Sequence, residues 1–507
     1  MNITTFAAID IGSYEVGMKI FELSSKSGMK QIDFIRHRIE LGKDTYVLGK
    51  IGCDLTDRLC EVLCDFTKIM KSYQVDAYRA CATSAVREAK NTIMLLDQIR
   101  LRTGIVVEVL SNSEQRFLRY KSIAYQVDHF ERIIQTGTAI LDVGGGSSQF
   151  SLYDKDKLIA TQNIRLGSLR IREKLAGLRK YTTNIPALVE ELIDSDISNL
   201  YLQYIKNYTI KNIIVVGDYI NYFQSDKSGF LTREKFINSC EKLFLLSTDE
   251  IAVKLGIPAE DATLLIPSLM IYKRVIEKTG AENIWTPGVK LSDGIAYDYA
   301  ENNKIIKVKH DFEHDIIAAA RNIGKRYINN KEHIQMLEEL ALKIFDRTVK
   351  IHGMSKRERL LLQIAVILHD CGKYISLSSF AECSYNIIMA TEIIGLSHLE
   401  REIIANVVKF NTTEFVYYDE LAGKFDRQSY ILLEKITAIL RVANALDRSH
   451  RQKFKNVKIT LNEKELVLTL DTMSNVLLEK GLFKEKAEFF EEVFSIKPVI
   501  QQKKKFE

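Results

Sequence analysis

At 507 residues the chain exceeds what one hydrophobic core supports, and about two to four domains are expected. Its apolar (46%) and charged (27%) shares are ordinary for a globular protein, and a net charge of +5 with a pI near 8.5 suits an anionic ligand while excluding a strongly basic, sequence-specific nucleic-acid binder. No uncharged apolar run reaches the roughly 18 residues of a membrane span, and the 7 cysteines form no CxxC pair, which reads as reduced thiols in a cytoplasmic protein.

The first runs, "TTFAAIDIG", "VGMKIFEL" and "QIDFIRHRIEL", are rich in β-branched and aromatic residues and predict three strands; Asp10 comes too early for a signal peptide. A helix is predicted from Leu55 to Tyr73, then the strand "DAYRACATS", a helix from Val86 towards Arg102, the strand "GIVVEVL" and a helix from Glu114 to Val127. The opening pattern then returns. "GTAILDVGGGSSQFSLYD" predicts strand, Asp-x-Gly turn and strand, and "KLIATQNIRLG" and "IKNIIVVGD" predict two more. "IDIGS" at Ile9 and "LDVGGGSS" at Leu141 are thus corresponding turns of a duplicated α/β lobe, facing one another across a cleft. Glycine turns let backbone N–H groups approach phosphate oxygens, and the aspartate at each strand end, Asp10 and Asp142, suits Mg²⁺ held through water.

From about Asp311 the pattern turns helical, with apolar residues recurring at three and four. This stretch carries His333, His369, Asp370 and Asp447, residue types that bind a hard or borderline divalent ion, together with Lys373. His310, His314 and His352 read as surface or packing residues. Two strand-like runs, "NVKITLN" and "ELVLTLD", a helix from Val476 to Glu492 and a lysine-ending tail close the chain as a small α/β cap.

The pieces "AAIDIGS", "ATSAVREAKN", "LSNSEQ", "LDVGGGSS" and "RLGSLRIRE", with the helix around Pro267, occur in the order of the exopolyphosphatase/guanosine pentaphosphate phosphohydrolase (Ppx/GppA) family, which this chain resembles along nearly its whole length. The helical segment resembles an HD metal-dependent phosphohydrolase domain. The resemblance implies an α/β fold of two actin-like (ribonuclease H-like) lobes, 1–130 and 131–305, then an all-α HD-like domain, 306–455, and the cap, 456–507. It implies a phosphohydrolase of phosphoanhydrides, with Mg²⁺ or Mn²⁺ on Asp10 and Asp142. Phosphate would be bound by Ser13, Arg87, Gly144, Gly145, Gly146, Ser147 and Ser148. The expected ligand is polyphosphate or guanosine penta- or tetraphosphate, and the expected assembly a homodimer.

Two carboxylate positions depart from the family pattern, as do Tyr14 after Ser13 in the first turn and the single Gly217 of "VVGDYINYF" in the second lobe. The family has a glutamate pair where this chain has Glu114 and Gln115, with Gln115 at the catalytic position, and its glycine loop ends in a glutamate where this chain has Gln149. An amide neither takes a proton nor carries charge. Glu114 is the nearby spare carboxylate. Three readings stand open: a phosphohydrolase in the cleft, a polyphosphate or alarmone sensor that cleaves poorly, and a hydrolase whose metal centre is His333, His369, Asp370 and Asp447. Cys383 and Asn411 stand where relatives often carry further histidines, which argues for one metal there rather than two.

Overall fold

The computed structural model describes residues 3–127, 130–178, 184–217, 219–223, 229–328, 330–421, 423–454 and 456–502. It divides into two compact units, Met1–Phe312 and Glu313–Glu507. The first expectation to shift is therefore a boundary. Residues 306–312 belong with the first unit, where Lys309 reaches the Tyr125 carbonyl and buried His310 packs among Tyr120, Phe130 and Phe312.

In the first unit, strands β1 (Thr4–Ile11), β2 (Glu15–Ser24), β3 (Gly28–Arg38), β4 (Ala77–Ala82) and β5 (Val107–Val109) form a sheet of order β3-β2-β1-β4-β5. β1 pairs antiparallel with β2 and parallel with β4. A second sheet contains β6 (Thr138–Val143), β7 (Ser148–Asp154), β8 (Lys157–Ile164), β9 (Asn212–Val216), β10 (Phe230–Thr232) and β11 (Asn283–Trp285), in the order β10-β11-β9-β6-β7-β8. β6 pairs antiparallel with β7 and parallel with β9, repeating the arrangement around β1. The duplicated lobe read from the sequence is thus a duplicated topology. β1 and β6 are near-continuous apolar runs because helices cover both faces of a central strand. The helix Cys53–Ser72 buries Thr56, Leu59, Leu63, Phe66 and Met70, an apolar stripe at helical spacing.

Several predicted boundaries move. The third strand stops at Arg38, and Leu41–Leu48 forms an unforeseen helix. The helix expected from Val86 is two, Ser84–Glu88 and Thr92–Thr103. Pro267 sits inside the helix Ala259–Thr279.

In the second unit, the helices Lys331–Arg347, Lys356–Leu368, His398–Phe410 and Arg427–Leu446 pack on one another. Two begin with a Ser-x-x-Glu capping box, Ser355 with Glu358 and Ser397 with Glu400. The expected cap belongs to this unit. β12 (Asn456–Leu461) and β13 (Glu465–Asp471) pair antiparallel, and β14 (Lys497–Gln502), read from the sequence as tail, adds parallel to β13. The helix Leu477–Phe494 seats Phe489 4.7 Å from the Phe415 ring, with the Arg441 guanidinium 4.5 Å above Phe489. The terminal lysines 503–505 lie outside the described residues. Among the described residues no helix is long and apolar enough to cross a membrane.

Candidate functional site

The two lobe turns are built alike. Gly12 N–H donates to the Glu15 carbonyl at 3.0 Å, and Gly144 N–H donates to the Ser147 carbonyl, also at 3.0 Å. Asp10 pairs in register with Gly17 on β2 and Cys81 on β4; Asp142 pairs with Gln149 on β7 and Val216 on β9. The two aspartates therefore hold equivalent places. One cleft is lined by both turns, including Asp10, Gly12, Ser13, Gly144, Gly145, Gly146 and Ser147, and by Gln115, Arg119 and Lys290.

The glycines have more than one cause. A Cβ on Gly146 would lie 2.1 Å from the Tyr46 hydroxyl and 2.4 Å from Ser84 Oγ, both in the first lobe. Gly146 is thus demanded by contact between the lobes. Ser13 Oγ lies 2.7 Å from the Tyr46 hydroxyl and 2.8 Å from Ser84 Oγ, and the last two are 3.1 Å apart. This triangle of hydroxyls, all from the first lobe, fixes the first turn and forms the surface on which Gly146 packs. Arg170 adds to it, donating to the Gly146 carbonyl at 2.7 Å and to both oxygens of Glu88 at 2.8 Å.

Three predicted site residues are turned elsewhere. Ser148 is fully buried and its hydroxyl donates to the Leu166 carbonyl. The Arg87 guanidinium donates to the Leu110 carbonyl and to Asn112 Oδ1, each at 2.5 Å, and lies 3.5 Å from Gln115 Oε1, so it braces the start of the helix Asn112–Gln126. Glu114 is the third residue of that helix. Its carboxylate accepts from Ser111 N–H at 2.9 Å while Ser111 Oγ accepts from Glu114 N–H at 3.2 Å. The spare carboxylate is occupied as a helix cap.

Gln115 does line the cleft. Gln149 is buried opposite Asp142, its Nε2 3.4 Å from the Asn112 carbonyl, and its Oε1 has no hydrogen-bond partner among the described residues.

The sequence reading missed Arg119. Four residues after Gln115, it shares that helix face, and its Nε lies 3.2 Å from Asp142 Oδ2. Arg116, buried on the same helix, lines with Arg119, Asp142 and Gln149 a small cavity behind the cleft. Asp142 thus pairs with a guanidinium where a metal was expected. A divalent ion about 4 Å from that guanidinium would meet a repulsion of roughly 8 kcal/mol at an effective dielectric of about 20. Among the described residues, the donors around Asp142 are a poor fit to Mg²⁺.

The second unit holds a separate centre. His333 Nδ1 lies 2.8 Å from Asp447 Oδ2, and His369 Nδ1 lies 2.7 Å from the Val366 carbonyl. Both partners only accept, so each ring, when neutral, carries its proton on Nδ1. The two Nε2 atoms are then lone pairs, and they face each other at 3.2 Å, with Asp370 Oδ1 3.4 Å from His369 Nε2. Burial pushes the His369 pKa down to about 4, against the opposing pull of Asp370, and keeps the ring neutral. Three lone-pair donors converging in this way fit a divalent cation, and His333, His369 and Asp370 are the group among the described residues close enough to share one.

Asp447 stands behind His333, where its oxygens also accept from Gln452 N–H at 3.0 Å and Gln452 Nε2 at 2.9 Å. It orients the ring and is not a fourth donor to the cluster. Lys373 donates to Asp370 Oδ2 at 2.5 Å. His450, which the sequence reading passed over, stacks on His333 with centroids 3.7 Å apart.

Comparison with known proteins gives one answer along the chain. The family model "Ppx/GppA phosphatase family" matches residues 20–303, and "Ppx/GppA phosphatase, domain III" matches 317–488. A guanosine-5'-triphosphate,3'-diphosphate pyrophosphatase of Aeromonas hydrophila is 20% identical over 505 residues, covering 95% of each chain. A bifunctional 3-dehydroquinate synthase/phosphatase of Fusobacterium nucleatum is 22% identical over 303 residues; the match covers 55% of this chain and 44% of that protein. In fold, the chain is similar to a crystal structure of an exopolyphosphatase from Cytophaga hutchinsonii, with a TM-score of 0.52 and 18% identity over 60% of this chain and 100% of that one.

Proposed function

The chain belongs to the Ppx/GppA phosphatase family, and from that premise we propose that its inter-lobe cleft binds a phosphate chain and releases the terminal phosphate by attack of water. Polyphosphate and guanosine pentaphosphate are the two ligands that the relatives' names suggest. The carrying observation is the pair of matched turns, each closed by a 3.0 Å bond from its first glycine and each preceded by an aspartate in the same register, opening on one cleft. Such turns place backbone N–H groups and small side chains where phosphate oxygens can approach, and in phosphoryl transfer positioning and charge stabilisation supply most of the rate.

With amides at 115 and 149 and Glu114 held in a cap, Asp10 is the cleft carboxylate to which we assign the orientation of water. The turnover expected from so spare an arrangement is slow. A cytoplasmic homodimer is part of the same proposal and rests on the family resemblance alone.

A second reading is favoured by the facing Nε2 atoms in the other unit. In it, His333, His369 and Asp370 would hold Mg²⁺ or Mn²⁺, which would supply a water of lowered pKa and a Lewis acid for a phosphoryl oxygen. Asp447 and Gln452 keep the His333 ring in place, and Lys373 holds Asp370.

Phosphate release from polyphosphate and from guanosine pentaphosphate separates the two. On the cleft reading, Asp10→Asn abolishes release, while His369→Ala with Asp370→Ala leaves it. The opposite pattern transfers the hydrolytic centre to the second unit.

A further inference from the structure

We infer that the second unit carries a binding site for a medium-chain fatty acid, in the groove between the helices Phe312–Arg326 and Lys331–Arg347, with the carboxylate held by Lys325 and Lys331. Neither the inter-lobe cleft nor the histidine centre uses this groove, and it depends on neither hydrolytic reading.

The groove encloses about 470 Å³, within the range of about 300–1,000 Å³ typical of small-molecule sites. One wall is a stripe of the helix Lys331–Arg347, running from Lys331 through Ile334, Gln335, Glu338 and Glu339 to Leu342. Steps of three and four put these residues on one helix face. At 1.5 Å per residue the stripe is about 16 Å long, which suits a chain better than a compact ring. Its floor is apolar: Ile334 and Ile367 are both buried and both line the groove. Gln363 bonds to Glu338 and His369 faces His333, so Ile367, between Gln363 and His369, comes level with the stretch around Ile334.

The charged groups have an order along the groove. Lys325 is one residue from the end of its helix and Lys331 is the first residue of the next, so both stand where the chain turns. Both are exposed, and neither has an ion-pair partner among the described residues. The charge of Glu338 is already met: this buried carboxylate accepts from Arg321 Nη2 and from Gln363 Nε2, each at 2.7 Å. Glu339 lies about 12 Å along the helix from Lys331. A single negative head group is therefore drawn to the turn end of the groove and repelled from the other end. The lysine stems can lie along the apolar tail while their ammonium groups meet the carboxylate.

The test is calorimetric titration of the full-length protein with sodium decanoate, below its micellar range and in EDTA, so that no ion at the histidine centre takes the carboxylate. The expected result is binding at one site per chain, with decyltrimethylammonium, the same chain under a cationic head, about tenfold weaker. Lys325→Glu with Lys331→Glu should weaken decanoate by about tenfold, the effect of two exposed ion pairs, and remove the preference for the anionic head. Leu342→Gln, at the far end, should weaken both amphiphiles. A thermal melt of each variant confirms that it folds; the two lysines are exposed, so their variant keeps the test decisive if Leu342→Gln does not. Amide hydrogen exchange of the wild type should slow within residues 321–342 when decanoate is added. Absence of decanoate binding overturns the inference. Equal binding of the two head groups, unchanged affinity in the lysine double variant, or protection that falls outside the two helices overturns it too, because the carboxylate is then held elsewhere.

Discussion

Gln115 lies on the cleft-facing side of its helix, four residues before Arg119 and 3.5 Å from the Arg87 guanidinium. Replacing it by glutamate puts a carboxylate on that face with a cation beside it to keep it ionised. Phosphate release by Gln115→Glu is expected to rise by about a hundredfold, the lower end of what a placed general base contributes; a phosphate-release assay at matched protein concentration measures it. Its neighbour should behave oppositely. Glu114→Ala removes half of a capping box, so it should cost about 1 kcal/mol of stability in a denaturant titration and leave phosphate release unchanged. That role could be read from the sequence, since Ser111-Asn-Ser-Glu114 is the Ser-x-x-Glu pattern of a helix start. Arg119 was harder to find. An arginine on a helix has many uses, and only its spacing of four from Gln115 hinted at a shared face. Asp447 was found as a residue but not in its role, because whether a carboxylate binds a metal or a histidine's far nitrogen is decided by tertiary contact.

Strands were the most readable elements, because β1 and β6 combine β-branched runs with a glycine turn, and the repeat of that pair betrayed the second lobe. The three-residue strands β10 and β11 and the parallel strand β14 escaped, since so short a run has no period and β14 pairs with a strand far from it in sequence. The turn at Gly146 allows a structural test. Gly146→Ala drives a methyl into Tyr46 and Ser84 and should cost about 1–3 kcal/mol, as overpacking does; adding Tyr46→Phe, which removes one of the two oxygens, should recover part of the loss in a thermal melt. In the second unit, the buried ring of His352 accepts from Met354 N–H at Nδ1 (2.8 Å) and faces the Phe345 carbonyl with Nε2 (2.9 Å), so it is a neutral ring with its proton on Nε2. Burial holds its pKa below the ordinary 6.5, against the pull of the Phe345 carbonyl. Between the folded pKa and the unfolded value of about 6.5 the unfolded chain binds a proton that the folded ring refuses, so stability rises with pH in that window and is lost as pH falls from the unfolded value through the folded one. Melting followed from pH 7 to pH 5 should show that decline, and His352→Asn should flatten it.

Across the whole chain, each unit has its own buried core, and the sheets of the first are complete by Phe312. A chain of residues 1–312 is expected to melt cooperatively and to bind tripolyphosphate as the full-length protein does; failure of either would tie the cleft to the second unit. Within the first unit, side chains of the two lobes meet repeatedly around the cleft. Tyr14 donates to Asp261 at 2.5 Å, Arg172 lies 2.5 Å from Glu40 and Arg38 lies 3.1 Å from Glu260. Gly146 pressed beneath Tyr46 and Ser84 belongs to this set, and it has a thermodynamic consequence. The loop that would wrap a phosphate draws part of its shape from the opposite lobe, so lobes that swing apart also leave the loop without its template. A ligand that prefers the loop in this shape therefore prefers the shut protein by the same free energy, and its occupancy is a bias on an opening equilibrium. Such a device reports the presence of its ligand by posture, whether or not it ever cleaves a bond.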